Sequence, residues 1–278
     1  MTKTIGIAIF EAARQLSIAG IDGSQHDARV LMSSVLKVAP YQASLIADKC
    51  LTKAQLEEFS KVIQRRLRRV PVSHILGYRD FFEHRFIVTP DVLDPRPETE
   101  LLVVEALKES FQNVLDLGTG SGCILLSLLA KKINVQGVGI DISAAAISIA
   151  RRNAKNLHLE SRVNLNVSDW FSNVGKRKFD LIVSNPPYVH PNQLELLSPE
   201  VLQEPMLALT DNEDGLNAFK EIATNAQKFM VAGGRLIFEI GFDQGPAVAD
   251  ILNISGFQDI RVLPDLNGSD RIVSCCLK

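Results

Sequence analysis

From residue 113 onward the chain repeats one pattern, a short apolar-rich run followed by a helical stretch, and this limits the fold more than any other feature. Residues 113–117, 136–141, 163–167, 179–185 and 234–240 are strand-length runs suited to a buried parallel sheet. Helical stretches such as 123–132 and 144–156 separate most of them. Strand and helix in alternation predict an α/β, doubly wound sheet with helices on both faces. Ligands of such a sheet bind at the carboxyl ends of its strands. Two last runs, 260–264 and 272–277, have no long helix between them and suit an antiparallel hairpin on one edge. The expected core is therefore a seven-stranded, mostly parallel sheet.

The first third of the chain differs. Ile5, Ile9, Ala12 and Leu16 fall at helical spacing and lead to Gly20, a helix stop. A second helix is expected over 27–36. A third opens at Thr52, which can cap the first amides while Gln55 closes a capping box. From Pro71 aromatic and β-branched residues surround a break at Gly77, and a β-hairpin linking two domains is expected there. Pro95 and Pro97 then force an extended path, and 101–107 reads as a helix. The expected division is a small all-helical domain over 1–75, a hairpin linker over 76–98 and the sheet domain over 99–278.

Charge and composition exclude several functions. The net charge of −2 is wrong for a chain that coats nucleic acid, and no stable nucleic-acid partner is expected. No run of some 18 apolar residues exists to span a bilayer. Glu11 and Arg14 interrupt the apolar start, so a cytoplasmic protein without a membrane partner is expected. The four cysteines form no Cys-x-x-Cys pair and the five histidines no ligand-spaced cluster; no metal is assigned. Residues 1–69 hold eleven Lys or Arg against six Asp or Glu, a net of +5. The run Arg65-Arg66-Leu67-Arg68-Arg69 reads as a solvated helix face, though the excess of charge could also meet an acidic protein surface or RNA.

The first strand of the sheet opens into Gly118-Thr119-Gly120-Ser121-Gly122. Glycines let a backbone approach a ligand, and the following helix start offers free amides. A dinucleotide fingerprint would require Gly where this chain has Cys123, so the loop suits an adenosine carrying methionine better than one carrying phosphates. Asp141 ends the second strand, where a carboxylate can accept both ribose hydroxyls. Asp116 stands near the loop, within reach of its amides or of the methionine ammonium. After the third strand, Asp169 can accept from the adenine amine and Trp170, the only tryptophan, can cover the ring. A tight turn or a helix cap would explain one of these features alone, but not all of them in successive β–α units.

The fourth strand ends in Asn185-Pro186-Pro187-Tyr188. Two prolines stop a strand and stiffen its exit, which leaves Asn185 and Tyr188 unexplained. Their chemistry suits a planar NH₂ group. The Asn185 side-chain oxygen and the Pro186 carbonyl can accept its two hydrogens and turn its lone pair outward, and Tyr188 can stack on the plane. Asn185, Pro186 and Tyr188 are the candidate catalytic residues, with Pro187 added for substrate binding. Residues 118–122, Asp141, Asp169, Trp170 and Asn185 are the candidate cofactor-binding set.

In this order the glycine loop, Asp141 and Asn185-Pro-Pro-Tyr resemble a class I S-adenosylmethionine-dependent amino-methyltransferase, a group acting on DNA and RNA bases and on protein glutamine. Over nearly its full length the chain resembles the HemK family of release factor glutamine methyltransferases. The resemblance is carried by Pro71-Val-Ser-His-Ile-Leu-Gly, Pro95-Arg-Pro-Glu-Thr-Glu100, Glu204-Pro205, Asp214-Gly215-Leu216, Glu239-Ile-Gly241 and Gln244. Family members often carry two glycines where this chain has Asp211-Asn212. The resemblance implies N5-methylation of the glutamine in the Gly-Gly-Gln motif of bacterial class 1 release factors, with S-adenosylhomocysteine as product. The helical domain is expected to dock the factor. Alternatives are a ribosomal-protein glutamine and a nucleic-acid base.

Overall fold

A computed structural model describes residues 3–278. It resolves into two compact units: the chain up to Gly77 together with Ser198–Gln203, and Tyr78–Leu197 together with Glu204–Lys278.

The first unit holds α1 (Ile5–Ile18), α2 (Ser24–Leu36), α3 (Pro40–Leu45), α4 (Lys53–Leu67) and α5 (Val72–Leu76). α4 starts as its sequence predicts. The Thr52 hydroxyl accepts from the Gln55 amide at 3.2 Å, and the Gln55 side chain accepts from the Thr52 amide at 2.9 Å. Leu16 of α1, Leu31 and Met32 of α2, and Phe59 and Ile63 of α4 bury their side chains together. Each contributes about 2 kcal/mol of apolar burial against the cost of ordering the chain.

Two expectations change here. Pro71 does not lead into a strand: residues 72–76 coil as α5, because Pro71 suits a helix entrance and Gly77 closes the turn at φ +79°. The arginine run is solvated only in part: Arg65 and Arg68 are exposed, but Arg66 is not. Arg66 is 6% exposed and donates to Asp27 and Glu200, at 2.7 Å each. Arg65 donates to the carbonyls of His74 and Ile75, and Arg69 to Glu200 and the Ala19 carbonyl. A guanidinium carries five donors, and here they satisfy helix-end carbonyls and two carboxylates that packing has removed from water.

The second unit opens with a hairpin, β1 (Tyr78–Phe81) and β2 (His84–Ile87). There follow α6 (Glu100–Leu107), β3 (Asn113–Leu117), α7 (Cys123–Lys131), β4 (Gln136–Asp141), α8 (Ala144–Asn156), β5 (Val163–Val167) and β6 (Phe179–Ser184). After them come α9 (Met206–Leu209), α10 (Asn217–Ala226), β7 (Met230–Glu239), α11 (Gly245–Ile254), β8 (Gln258–Pro264) and β9 (Asp270–Cys276). The sheet order is β5-β4-β3-β6-β7-β9-β8. The five strands from β5 to β7 are parallel, and β9 and β8 add antiparallel to the β7 edge, as the missing helix between them predicts.

Strand alternation divides the core. Val114, Val183 and Ile237 meet Leu102, Leu125 and Ile147 of α6, α7 and α8 on one face. Leu115, Ile182 and Phe238 meet Phe219 of α10 and Leu252 of α11 on the other. Connections leave β3 toward β4 on one side and β6 toward β7 on the other. The crevice for a ligand therefore falls at the carboxyl ends of β3 and β6. Among the described residues no helix is long and apolar enough to cross a membrane.

Candidate active site

A cavity of about 1050 Å³ opens at that crevice. Its first wall is the loop after β3. Gly118 and Gly120 adopt φ of +73° and +56°, and the position a Cβ would occupy at either is open. The loop is tied down by the Thr119 amide on the Ile140 carbonyl, at 2.8 Å, and by the Thr119 hydroxyl on Asp116, at 2.7 Å. Asp116 is fully buried, and burial pushes its pKa up to about 7, opposed by the Thr119 hydroxyl.

Asp141 accepts from the amides of Gly120 and Ser143, both at 2.9 Å, one on each carboxylate oxygen. Each oxygen keeps a second lone pair. Burial is the main cause raising its pKa, and those two amides oppose it. Ser143, not Asp141, caps α8 by accepting from Ala146. Asp169 and Trp170 stand in the cavity wall after β5. The turn that presents them is fixed by Ser168, whose hydroxyl donates to the Trp170 carbonyl and accepts from the Asn173 amide.

The opposite wall begins where β6 ends. Ser184 donates to the Leu117 carbonyl at 2.7 Å and locks this strand end to β3. Asn185 and Pro187 face the cavity. Among the described residues no hydrogen bond engages the Asn185 side chain. Pro186 is buried and Tyr188 is half-buried, and neither lines the cavity. The Tyr188 ring packs against the core face shared with α10, and its hydroxyl is 3.5 Å from Glu239.

The Tyr188 backbone is braced from behind. Gln244 donates to the carbonyls of Tyr188 (3.0 Å) and Gly215 (3.1 Å), and its own oxygen accepts from the Gly241 amide. A Cβ on Gly215 would lie 2.5 Å from the Tyr188 carbonyl oxygen, so only glycine fits. Three residues quoted above only for family likeness thus share one mechanical task.

Of the expected site residues, Gly118, Thr119, Gly120 and Ser121 join Asp141, Asp169, Trp170, Asn185 and Pro187 around one cavity. Gly122 sits outside the wall, as the residue before α7. Other wall residues escaped the motif reading. Ile142 follows Asp141 and is 56% exposed, an apolar side chain presented to the cavity. Arg96 and Thr99 form part of the wall, and Leu207 faces them from the segment after β6. Glu204, 4% exposed, joins these two stretches by accepting from Arg96 and from the Asp94 amide. No periodicity or motif spacing marks such residues; the only signal was the likeness of Pro95-Arg-Pro-Glu-Thr-Glu100 and Glu204-Pro205 to one family.

The chain is similar to known proteins along its length. Residues 8–77 match the family model described as PrmC N-terminal domain, and residues 91–212 that described as Methyltransferase small domain. The chain is 45% identical over 271 residues to the release factor glutamine methyltransferase of Cereibacter sphaeroides, covering 97% of each chain. It is 40% identical over 278 residues to the release factor glutamine methyltransferase of Caulobacter vibrioides, covering 98% of this chain and 96% of that one. The crystal structure of a methyltransferase from Pyrococcus furiosus shares the fold at a TM-score of 0.54 and 15% identity, covering 69% of this chain and 87% of that one. With relatives of this similarity along its whole length, the chain belongs to the release factor glutamine methyltransferase family.

Proposed function

We propose that the protein transfers a methyl group from S-adenosylmethionine to the side-chain amide nitrogen (N5) of the glutamine in the Gly-Gly-Gln motif of class 1 release factors. One observation carries the reading: a single cavity has the 118–121 loop and Asp141 in one wall and an unengaged Asn185 side chain in the other. The donor wall fits such a cofactor. Open glycine backbone at 118 and 120 admits a nucleoside at close range. The remaining lone pairs of Asp141 suit a ribose diol. Asp169 and Trp170 provide an acceptor and a ring for adenine, and Ile142 an apolar surface. When bound, the cofactor supplies an electrophilic methyl group on a positively charged sulfur.

The rest of the chemistry falls to the chain. An amide nitrogen is a weak nucleophile because its lone pair is shared with the carbonyl. The Asn185 side-chain oxygen accepts one of its hydrogens, turns the lone pair toward the donor wall and favours the positive charge that develops. Pro187 and Leu207 present apolar surface that limits water. The helical unit, with its excess of positive charge, is proposed to dock the factor.

The test is incubation with purified release factor and cofactor, followed by peptide mass mapping. One added methyl on the Gly-Gly-Gln peptide is expected. Methylation of duplex DNA, or of a ribosomal protein, with none on the factor would sink the reading.

A further inference from the structure

Glu239 closes β7, is 2% exposed and has no part in the chemistry above. Its Oε1 stands 3.5 Å from the Tyr188 hydroxyl. A carboxylate buried this completely is costly, and proteins keep such costs mainly where function requires them.

Strand register says where the group lies. β6 and β7 are parallel, with Val183 beside Ile237 and Ser184 beside Phe238. Glu239 is the next residue of β7, one strand from the end of β6 where the chain leaves into Asn185. Thr99, in the cavity wall, is among the groups that act on Glu239.

We propose that Glu239 is a positioning residue for methyl transfer: its ionised carboxylate holds the Tyr188 hydroxyl and sets a negative charge one strand from the amide that Asn185 receives. The inference rests on the reading of Asn185 given above. In the transfer the nitrogen–methyl bond forms as the sulfur–methyl bond breaks, and that electron pair stays on sulfur. The nitrogen is positive until its proton departs to water. A fixed anion beside it is felt most during that interval, which is what lowers a barrier.

The charged and titratable groups that face Glu239 are Tyr188 after β6, Arg271 on β9, Glu98 before α6 and Cys123 at the head of α7. Burial pushes Glu239 up to about 7, with the Thr99 hydroxyl and Arg271 opposing and Glu98 adding. The carboxylate is lost as pH falls through that value, so turnover rises with pH across it.

The experiment compares wild type, E239Q, E239D, Y188F and E239Q/Y188F on release factor across neutral pH, with cofactor affinity as the check on folding. E239Q should lower kcat on the alkaline side by about 10- to 100-fold and flatten the rise near neutrality, with the KM for the factor and cofactor affinity within about twofold. E239D, which keeps the charge, should keep the rise. E239Q should cost less in the Y188F background, because both act on one contact. Wild-type kcat and pH profile in E239Q, a loss confined to affinity, equal losses in both backgrounds, or an E239D profile as flat as that of E239Q would each overturn the inference. Wild type failing to methylate the factor overturns the proposed function and this inference with it; an active wild type with an indifferent E239Q overturns this inference alone.

Discussion

The two walls of the cavity are built in opposite ways. On the donor side the polar groups hold one another within a short stretch of chain: Gly120 and Ser143 amides on Asp141, Thr119 on Asp116 and on Ile140. On the acceptor side Asn185 makes no such bond, and its place is inherited. Ser184 anchors the strand end to Leu117, and Gln244, 56 residues along the chain, holds the Tyr188 carbonyl. A self-bonded wall holds its own shape and meets a ligand with the lone pairs left over. A wall braced from outside keeps its working atoms free.

The contrast is tested most severely at Asn185. Asn185→Ala should lower kcat by about 10²- to 10³-fold, the scale for losing one preorganised polar group, with little change in cofactor affinity by calorimetry. Asp141→Ala should do the reverse. It removes a charged acceptor and leaves the Gly120 and Ser143 amides without it, a loss of about 1.5–3 kcal/mol, or roughly 10- to 100-fold in cofactor Kd. Saturating cofactor should then restore most of the turnover. If both variants lost affinity and turnover alike, the walls would not be separate devices.

The same difference explains what the sequence could tell. The sheet was legible because its strands are written in local runs; 113–117 and 136–141, largely buried, and 163–167 on the edge occur where the runs predict. The donor wall was legible for a related reason: a glycine that needs φ > 0 and an acid at a strand tip declare themselves by residue type. Asn185 could be read because its chemistry is unusual after a strand. Its supports could not. Gly215, Gln244, Glu204 and Glu239 come from remote segments, and only folding shows that Gln244 reaches Tyr188 or that Glu204 joins Arg96 to the rest of the wall. A solvated face holds for Arg65 and Arg68 but not for Arg66, whose partners Asp27 and Glu200 are not local to it. Residues 72–76 coil despite the β-branched Val72 and Ile75, because Pro71 and Gly77 bracket one helical turn.

Two glycines give the finest comparison. Both have positive φ, +71° at Gly215 and +73° at Gly118, so alanine strains either backbone by about 1–2 kcal/mol. They differ in what the methyl group meets. At Gly215 it meets the Tyr188 carbonyl oxygen, backbone that can yield only by moving the acceptor wall and its Gln244 brace. Gly215→Ala should therefore lower kcat about tenfold while cofactor affinity holds. At Gly118 it meets open space, and the strain falls on a loop whose use is to approach the cofactor. Gly118→Ala should raise cofactor Kd about fivefold, near 1 kcal/mol, and leave kcat at saturation unchanged. If Gly215→Ala instead weakened cofactor binding, or Gly118→Ala slowed turnover at saturation, strain would pass between the walls and their independence would be lost.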